Sequence, residues 1–519
     1  MYTNPVIFCD YSDPDVIYAN GTYFLVASSF NFTPGLPILA SKNLVNWKLV
    51  NYALENIPAS RFAYPQNSQG IWAPSFCHHN GKYYIIVGMP DEGIFITESD
   101  NILGTWSQMK QVHTSKGFID PCLFWDDDGK AYIIHAYAKS RCGFNSRIGI
   151  LDFDEKTFRT TGEDRIIYDG TQTQPTIEGP KVYKRNDWYY IFAPAGGVSE
   201  GWQTVLRSKN IEGPYEEKIV LHEGKSGING PHQGALVETP FGENWFIHFQ
   251  ERGIFGRIVH LQPVKWKDDW PLIGTAVKTG IMPGEPVLRY KSPKYKKSRS
   301  ENIVTKAVRA FDGACLDWQW NANHDESFGK IYGFPDSNVE SFKLKVLNVS
   351  SYSKKNFPVL WNSSNVLTQK IQSPNFYFSG NIEVSSLPCY CRAGIIFAGD
   401  EYASVAIERT AEGYDLVYLK SKNVDLTDII REETEIERIH LSIQNPSQCI
   451  KFKLEFFPFS EFSGTSQFTI KTGTILNRFR WKSDFFTTEN GHWVGGRFGV
   501  YAIGNTDGSV LFYNIKVRN

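Results

Sequence analysis

The stretch YSDPDVIYANGTYFLV, residues 11–26, sets two carboxylates, Asp13 and Asp15, around Pro14. An alternating apolar run follows, then an Asn20-Gly21 turn and an aromatic strand. Asn-Gly between alternating runs is a strong hairpin signal, because both residues accept positive φ. The stretch alone does not say why a hairpin should begin on an acidic dipeptide. Four later segments repeat the pattern. They are Ala73-Pro74…Asn80-Gly81…Tyr83-Tyr84, Asp120-Pro121…Asp128-Gly129…Ala131-Tyr132, Glu178-Gly179-Pro180…Asn186-Asp187…Trp188-Tyr189, and Gly230-Pro231-His232…Phe241-Gly242…Trp245-Phe246. Their prolines stand 60, 47, 59 and 51 residues apart. Further short strands fill the intervals, giving about four per unit, and a period of about 50 residues with four strands predicts one propeller blade per unit. Residues 1–288 therefore read as a five-bladed β-propeller, with a non-repeating sandwich as the weaker alternative.

Beyond the last unit, residues 289–304 (RYKSPKYKKSRS at their start) are basic with Pro and Ser, and read as a linker. From residue 305 to 519 the pattern changes to longer alternating strands such as RAGIIFAGDEYASVAIERT and CIKFKLEFF. These predict a second all-β domain, a jelly-roll, concanavalin-like β-sandwich. Helix signals are nearly absent, and 519 residues exceed what one core holds.

Composition narrows the function. Net charge is −1, with no basic excess to draw nucleic acid. No run approaches the ~18 apolar residues of a membrane span. The N-terminus lacks the charged and apolar regions of a signal peptide, so a cytoplasmic chain or a mature secreted or periplasmic one is expected. The eight cysteines are scattered without metal or redox spacing, and free thiols are expected. Aromatic residues reach 15%. That level suits all-β packing, and equally suits stacking on sugar rings.

Differences among the repeats are more informative than their likeness. Residues entering the inner strands of a propeller converge at one mouth of the channel. Asp13, Asp120 and Glu178 bring carboxylates there, beside Trp72 and His232. Unneutralised acids crowded together repel one another, which a scaffold has no reason to keep. Glycoside hydrolysis does have a use for them. One carboxylate must take a proton from water, and another must deliver one to the leaving oxygen. A third can shift and orient the acid.

The motifs Tyr11-Ser12-Asp13-Pro14-Asp15, Gly70-Ile71-Trp72-Ala73-Pro74, Phe118-Ile119-Asp120-Pro121 and Thr176-Ile177-Glu178-Gly179-Pro180 resemble glycoside hydrolase family 43. The longer stretches PTIEGPKVYKRNDWYYIFAPAGG, GPHQGALVET and GRIVHLQPVKW share the likeness, and the second half resembles the sandwich behind the propeller of exo-acting members. The resemblance implies Asp13 as general base, Glu178 as general acid and Asp120 as the group that raises and holds the acid. Asp15 is the rival base. An inverting reaction would set the Asp13 and Glu178 carboxyls ~6.5–9.5 Å apart. Around them the resemblance suggests Trp72, Phe30 and Phe32 as a stacking wall and Arg257 as a ligand of sugar hydroxyls. It suggests His232 as floor or carboxylate aligner, and Trp202 and Gln203 on the aglycone side. No cofactor is expected to be required. A structural calcium near His248 in the channel is a weaker expectation, since calcium prefers oxygen ligands.

The expected activity is exo-acting, inverting removal of terminal α-L-arabinofuranosyl or β-D-xylosyl units from hemicellulose chains, with the sandwich closing the mouth. The expected partners are arabinose- and xylose-containing oligosaccharides, with neither nucleic acid nor membrane; oligomeric state is left open. A non-catalytic carbohydrate-binding propeller and an exo-galactanase are the alternatives. Trp318 and Trp320 read equally as sandwich core or as binding aromatics.

Overall fold

The computed structural model describes the chain except residues 277–282, 297–316, 334–339, 348–358, 424–430, 444–448, 474–477, 505 and 519. Five antiparallel meanders make up the first half. Blade 1 runs through Asp15–Ala19, Thr22–Val26, Gly35–Ser41 and Lys48–Leu54. Blade 2 takes Trp72–His79, Lys82–Met89, Gly93–Ser99 and Lys110–Thr114. Blade 3 takes Phe118–Trp125, Ala131–Tyr137, Arg147–Asp154 and Arg159–Asp169. Blade 4 takes Lys181–Arg185, Trp188–Ala195, Trp202–Ser208 and Glu216–Leu221. Blade 5 takes His232–Glu238, Asn244–Glu251, Arg257–Lys267 and Trp270–Ile273.

Strand alternation makes the ring. Tyr23 and Leu25 face blade 5, packing with Ala235, Ile247 and Leu261. Phe24 and Val26, on the opposite face of the same strand, meet Phe76 and Ile85 of blade 2. A period of two buries both faces of every blade. Separate apolar clusters likewise join blades 2 and 3, 3 and 4, and 4 and 5. The turns expected from sequence are present, with Asn20 and Gly21 at φ 49° and 75° and Asn80 and Gly81 at 48° and 79°.

The N-terminal segment lies along blade 5, with Tyr11 N donating to Arg257 O at 3.1 Å and Val259 N to Ile7 O at 3.0 Å. Tyr2–Thr3 pairs with Arg289–Tyr290. The chain expected as a linker from residue 289 therefore begins with a short strand held by the propeller; residues 297–304 lie outside the described residues.

In the second domain a seven-stranded sheet packs on an eight-stranded one around an aromatic core, the sandwich expected from the alternating strands. Trp318 is buried against Phe342, Phe378 and Phe498, and Trp320 against Phe328, so both tryptophans are core. Trp320 also exchanges both backbone hydrogen bonds with Thr33 of the propeller. The seven described cysteines are free thiols, and Cys315 lies outside the described residues.

Candidate active site

The inner strands enter the mouth with an irregular step that the sequence did not reveal. Asp13, Ala73, Asp120, Gly179 and Gln233 have φ of 56°, 23°, 54°, 59° and 31°. In blades 2, 3 and 5 the pairing slips there, between Trp72 and Ser75, Ile119 and Cys122, and His232 and Gly234. Asp13 is left-handed, a conformation that aspartate tolerates better than most residues. Two expectations change as a result. Blade 5 enters through Gln233-Gly234 rather than Gly230-Pro231. Glu178 is not the counterpart of Asp13 and Asp120; it stands one residue earlier, at the position held by Ser12, Trp72, Ile119 and His232. Strained, positive-φ backbone at one rim is a mark of functional sites.

Asp13 is buried, and its Oδ2 accepts from Ser12 Oγ at 2.9 Å and Ser28 Oγ at 2.5 Å. Ser28 Oγ in turn accepts from Ala73 N at 2.8 Å, tying blade 1 to blade 2. Arg257 Nη1 lies 3.4 Å from Asp13 Oδ1 and donates to Ser12 Oγ at 2.8 Å. The acids are therefore not all unneutralised, as composition alone suggested: Asp13 has a cation beside it. Asp120 is also buried; its Oδ2 accepts from Gly179 N at 2.8 Å and Gln233 Nε2 at 3.1 Å. Burial, then the charges of Glu178 and Asp13, push its carboxyl well above the usual range. Glu178 is the most open of the three, and its Oε1 lies 2.9 Å from His232 Nε2. His232, wholly buried, meets the Glu178 carboxyl through this contact.

Asp15 answers the question raised by the opening stretch. Its Oδ2 accepts from Phe76 N at 2.9 Å and Ser75 Oγ at 3.1 Å, and lies 3.1 Å from Lys181 Nζ, which also donates to Pro74 O at 2.7 Å. Asp13 is at the rim, while Asp15 bolts blades 1, 2 and 4 together beneath it. Breaking this buried pair with Lys181→Met should cost about 3–5 kcal/mol in chemical denaturation, because it leaves Asp15 uncompensated. The folded fraction should keep its activity.

Trp72 is buried in the wall, donates Nε1 to Ser68 O at 3.0 Å, and meets Trp493 of the sandwich edge to face at 4.7 Å. Trp493 had no signal in the sequence, since it comes from a loop of the other domain. Asp10 anchors that loop, accepting from Gly495 N at Oδ2 and Arg257 N at Oδ1, both 2.9 Å. Phe30 packs in the cluster around Trp72. Phe32 instead lies beneath the Arg497 guanidinium, 3.9 Å from its ring centre, at the domain interface. Trp202 donates to Gln174 Oε1 at 2.8 Å. Gln203 is buried one strand behind Glu178, with its Oε1 unpartnered.

His248, the residue expected beside a channel calcium, has both ring nitrogens engaged. His248 is buried, held neutral with a value near 4 chiefly by burial, and uses Nδ1 toward Phe249 O at 3.0 Å and Nε2 toward Gln262 at 3.1 Å. His260 beside it keeps both ring nitrogens unpartnered, but these are nitrogen donors. Among the described residues no three His, Cys, Asp or Glu side chains are placed to share an ion.

A five-bladed ring whose mouth holds three unequal carboxyls, an imidazole on one of them and an indole wall has the parts of a glycoside hydrolase. Residues 2–271 match the model of glycosyl hydrolases family 43, and residues 309–513 match the β-xylosidase C-terminal concanavalin A-like domain. The chain belongs to glycosyl hydrolase family 43. It is 42% identical over 330 residues to a putative β-xylosidase of Xylanibacter ruminicola, covering 62% of this chain but only 59% of that relative. It is 26% identical over 537 residues to a non-reducing end α-L-arabinofuranosidase of Bacteroides ovatus, covering 97% of this chain and 92% of the relative. The crystal structure of a xylan β-1,4-xylosidase from Bacillus halodurans superposes with a TM-score of 0.79 at 22% identity, each chain covered in full. At that identity the likeness speaks for the fold.

Proposed function

We propose that the protein is an exo-acting, inverting glycosidase that releases terminal β-D-xylosyl units, and α-L-arabinofuranosyl units in the same pocket, from hemicellulose oligosaccharides. Asp13 is the base that takes a proton from water. Glu178 is the acid that protonates the leaving oxygen. Asp120 is the positioning carboxyl between them. The observation that carries this reading is the inequality of the three acids. Asp13 has Arg257 and two hydroxyl donors. Asp120 is buried under repulsion from both neighbours. Glu178 is open toward the mouth and held by His232. Burial and like-charge repulsion favour a proton on the Asp120 carboxyl. The names of the relatives support a pentose substrate, and the Trp493 loop across Trp72 supports a mouth closed to chain interiors.

Initial rates on aryl β-D-xyloside and aryl α-L-arabinofuranoside test the proposal. Release from either supports it. Release from neither, with the fold intact, favours a carbohydrate-binding propeller or another sugar.

Asp120→Asn separates function from stability. Asparagine can still accept from Gly179 N and Gln233. Because the folded carboxyl titrates above its unfolded value of about 3.9, its favourable contribution is complete at low pH and is lost as pH rises from about 4. The variant should match wild type in Tm below pH 4. At neutral pH it should exceed wild type in Tm, while losing activity. Thermal unfolding as a function of pH checks this.

A further inference from the structure

Glu251 is a fourth carboxylate at the mouth, and the roles given to Asp13, Asp120 and Glu178 leave it none. It ends the second strand of blade 5, two residues beyond Phe249, which pairs with His232. It also pairs directly with Arg257, the first residue of the third strand. Residues opposite one another, and residues two apart, share a face of the sheet. The contacts agree. The Arg257 guanidinium lies 4.7 Å over the Phe249 ring, and its Nε is 3.9 Å from Glu251 Oε1. Its Nη1 faces Ser12 and Asp13. One buried guanidinium therefore stands between Asp13 and Glu251. The contact leaves Glu251 unsatisfied. At 3.9 Å it is too long for a hydrogen bond, and Arg257 Nε is buried without a partner. Among the described residues no donor reaches either oxygen of Glu251, whose side chain is 24% exposed. A further charge near three acids adds repulsion, so this position needs a reason. Its backbone is also held from the other domain. Arg252 pairs with Glu461 of the sandwich, Ile254 N donates to Phe462 O at 2.8 Å, and Phe462 leaves no room for a Cβ on Gly253. Such backing is what a precisely placed contact requires.

We propose that Glu251 is a specificity-determining residue: its carboxylate accepts a hydrogen bond from one hydroxyl of the terminal sugar, beside Arg257. The inference rests on the glycosidase reading. An ionised carboxylate only accepts, so the hydroxyl it takes must be free to donate. A terminal unit substituted at that oxygen is refused. A site built to hydrogen-bond a hydroxyl also rejects the analogue that lacks it, because its own polar group is then left unpaired. A cation is a poorer occupant, since the Arg257 guanidinium already brings positive charge to this carboxylate.

The test compares an aryl β-D-xyloside with its monodeoxy analogues, each lacking one ring hydroxyl, on the full-length wild type, Glu251→Gln and Glu251→Ala. Removing one particular hydroxyl should cost the wild type about 10- to 100-fold in kcat/KM, the range for a hydrogen bond to a charged group. On Glu251→Ala the same removal should cost almost nothing, because the partner is gone. Glu251→Ala should lose a similar factor on the parent xyloside, and Glu251→Gln, which keeps an uncharged acceptor, should recover part of it. A merely structural role lowers the rate on every substrate alike and leaves each deoxy penalty as in wild type, and that result would overturn the proposal. Calorimetric titration of D-xylose and its monodeoxy forms measures the same coupling without turnover. Coupling in binding with no sugar release would fail the glycosidase reading alone. Release with no coupling at any hydroxyl would fail this inference alone, and neither release nor binding would fail both.

Discussion

Asp13→Asn should lower kcat on xylobiose by about 10²–10⁴-fold, the range that removal of a positioned general base imposes. The fold should be kept at some cost in stability, because the amide leaves the buried Arg257 guanidinium without its carboxylate. An asparagine oxygen in place of Oδ2 still accepts from Ser12 and Ser28, and asparagine tolerates the φ of 56° that the backbone holds there. Asp15→Asn should behave in the opposite way. It leaves Lys181 buried beside an uncharged amide, so it should lose stability and keep the chemical step. Comparing the two variants at equal folded fraction decides between the rival bases.

Glu178→Gln should be the second large effect, and its size should depend on the leaving group. With xylobiose, whose leaving alcohol needs a proton, kcat should fall by about 10²–10⁴-fold. With a dinitrophenyl xyloside, whose leaving group departs unprotonated, the loss should be much smaller. An equal loss on both substrates would assign Glu178 to binding rather than to proton delivery. His232 contributes through the same carboxyl, 2.9 Å away, so His232→Asn should reproduce a weaker form of the same leaving-group dependence.

The repeat was legible because each blade needs the same local chemistry: a tight turn with positive φ and a strand apolar on both faces. The three carboxyls were legible because they interrupt that chemistry where a scaffold needs no charge. The register at the mouth was not. In blade 5 a Gly-Pro pair precedes the true entry at Gln233, and in blade 4 a glycine takes the position that aspartate holds in blades 1 and 3. The prolines followed in sequence mark the entry only where a bulge places it beside them. Positive φ at Asp13 and Ala73 depends on the surrounding blades and has no local signature.

Contacts between domains were the least legible. Trp493, Asp10 and Arg497 meet their partners across hundreds of residues, and no period or motif connects them. Phe32, expected in the sugar-stacking wall, lies under Arg497 for the same reason: a residue pattern within one domain cannot announce a guanidinium from the other. Lys181, which makes Asp15 structural, was likewise invisible until the blades were closed into a ring.

The most direct test of the central claim is the anomer first released. Proton NMR of wild-type enzyme acting on a β-xyloside should show α-D-xylopyranose accumulating before mutarotation supplies the β form. That outcome requires water to attack from the face opposite the leaving group, as Asp13 and Glu178 in separate roles demand. Initial release of β-D-xylopyranose would make one carboxylate a nucleophile and would contradict the account.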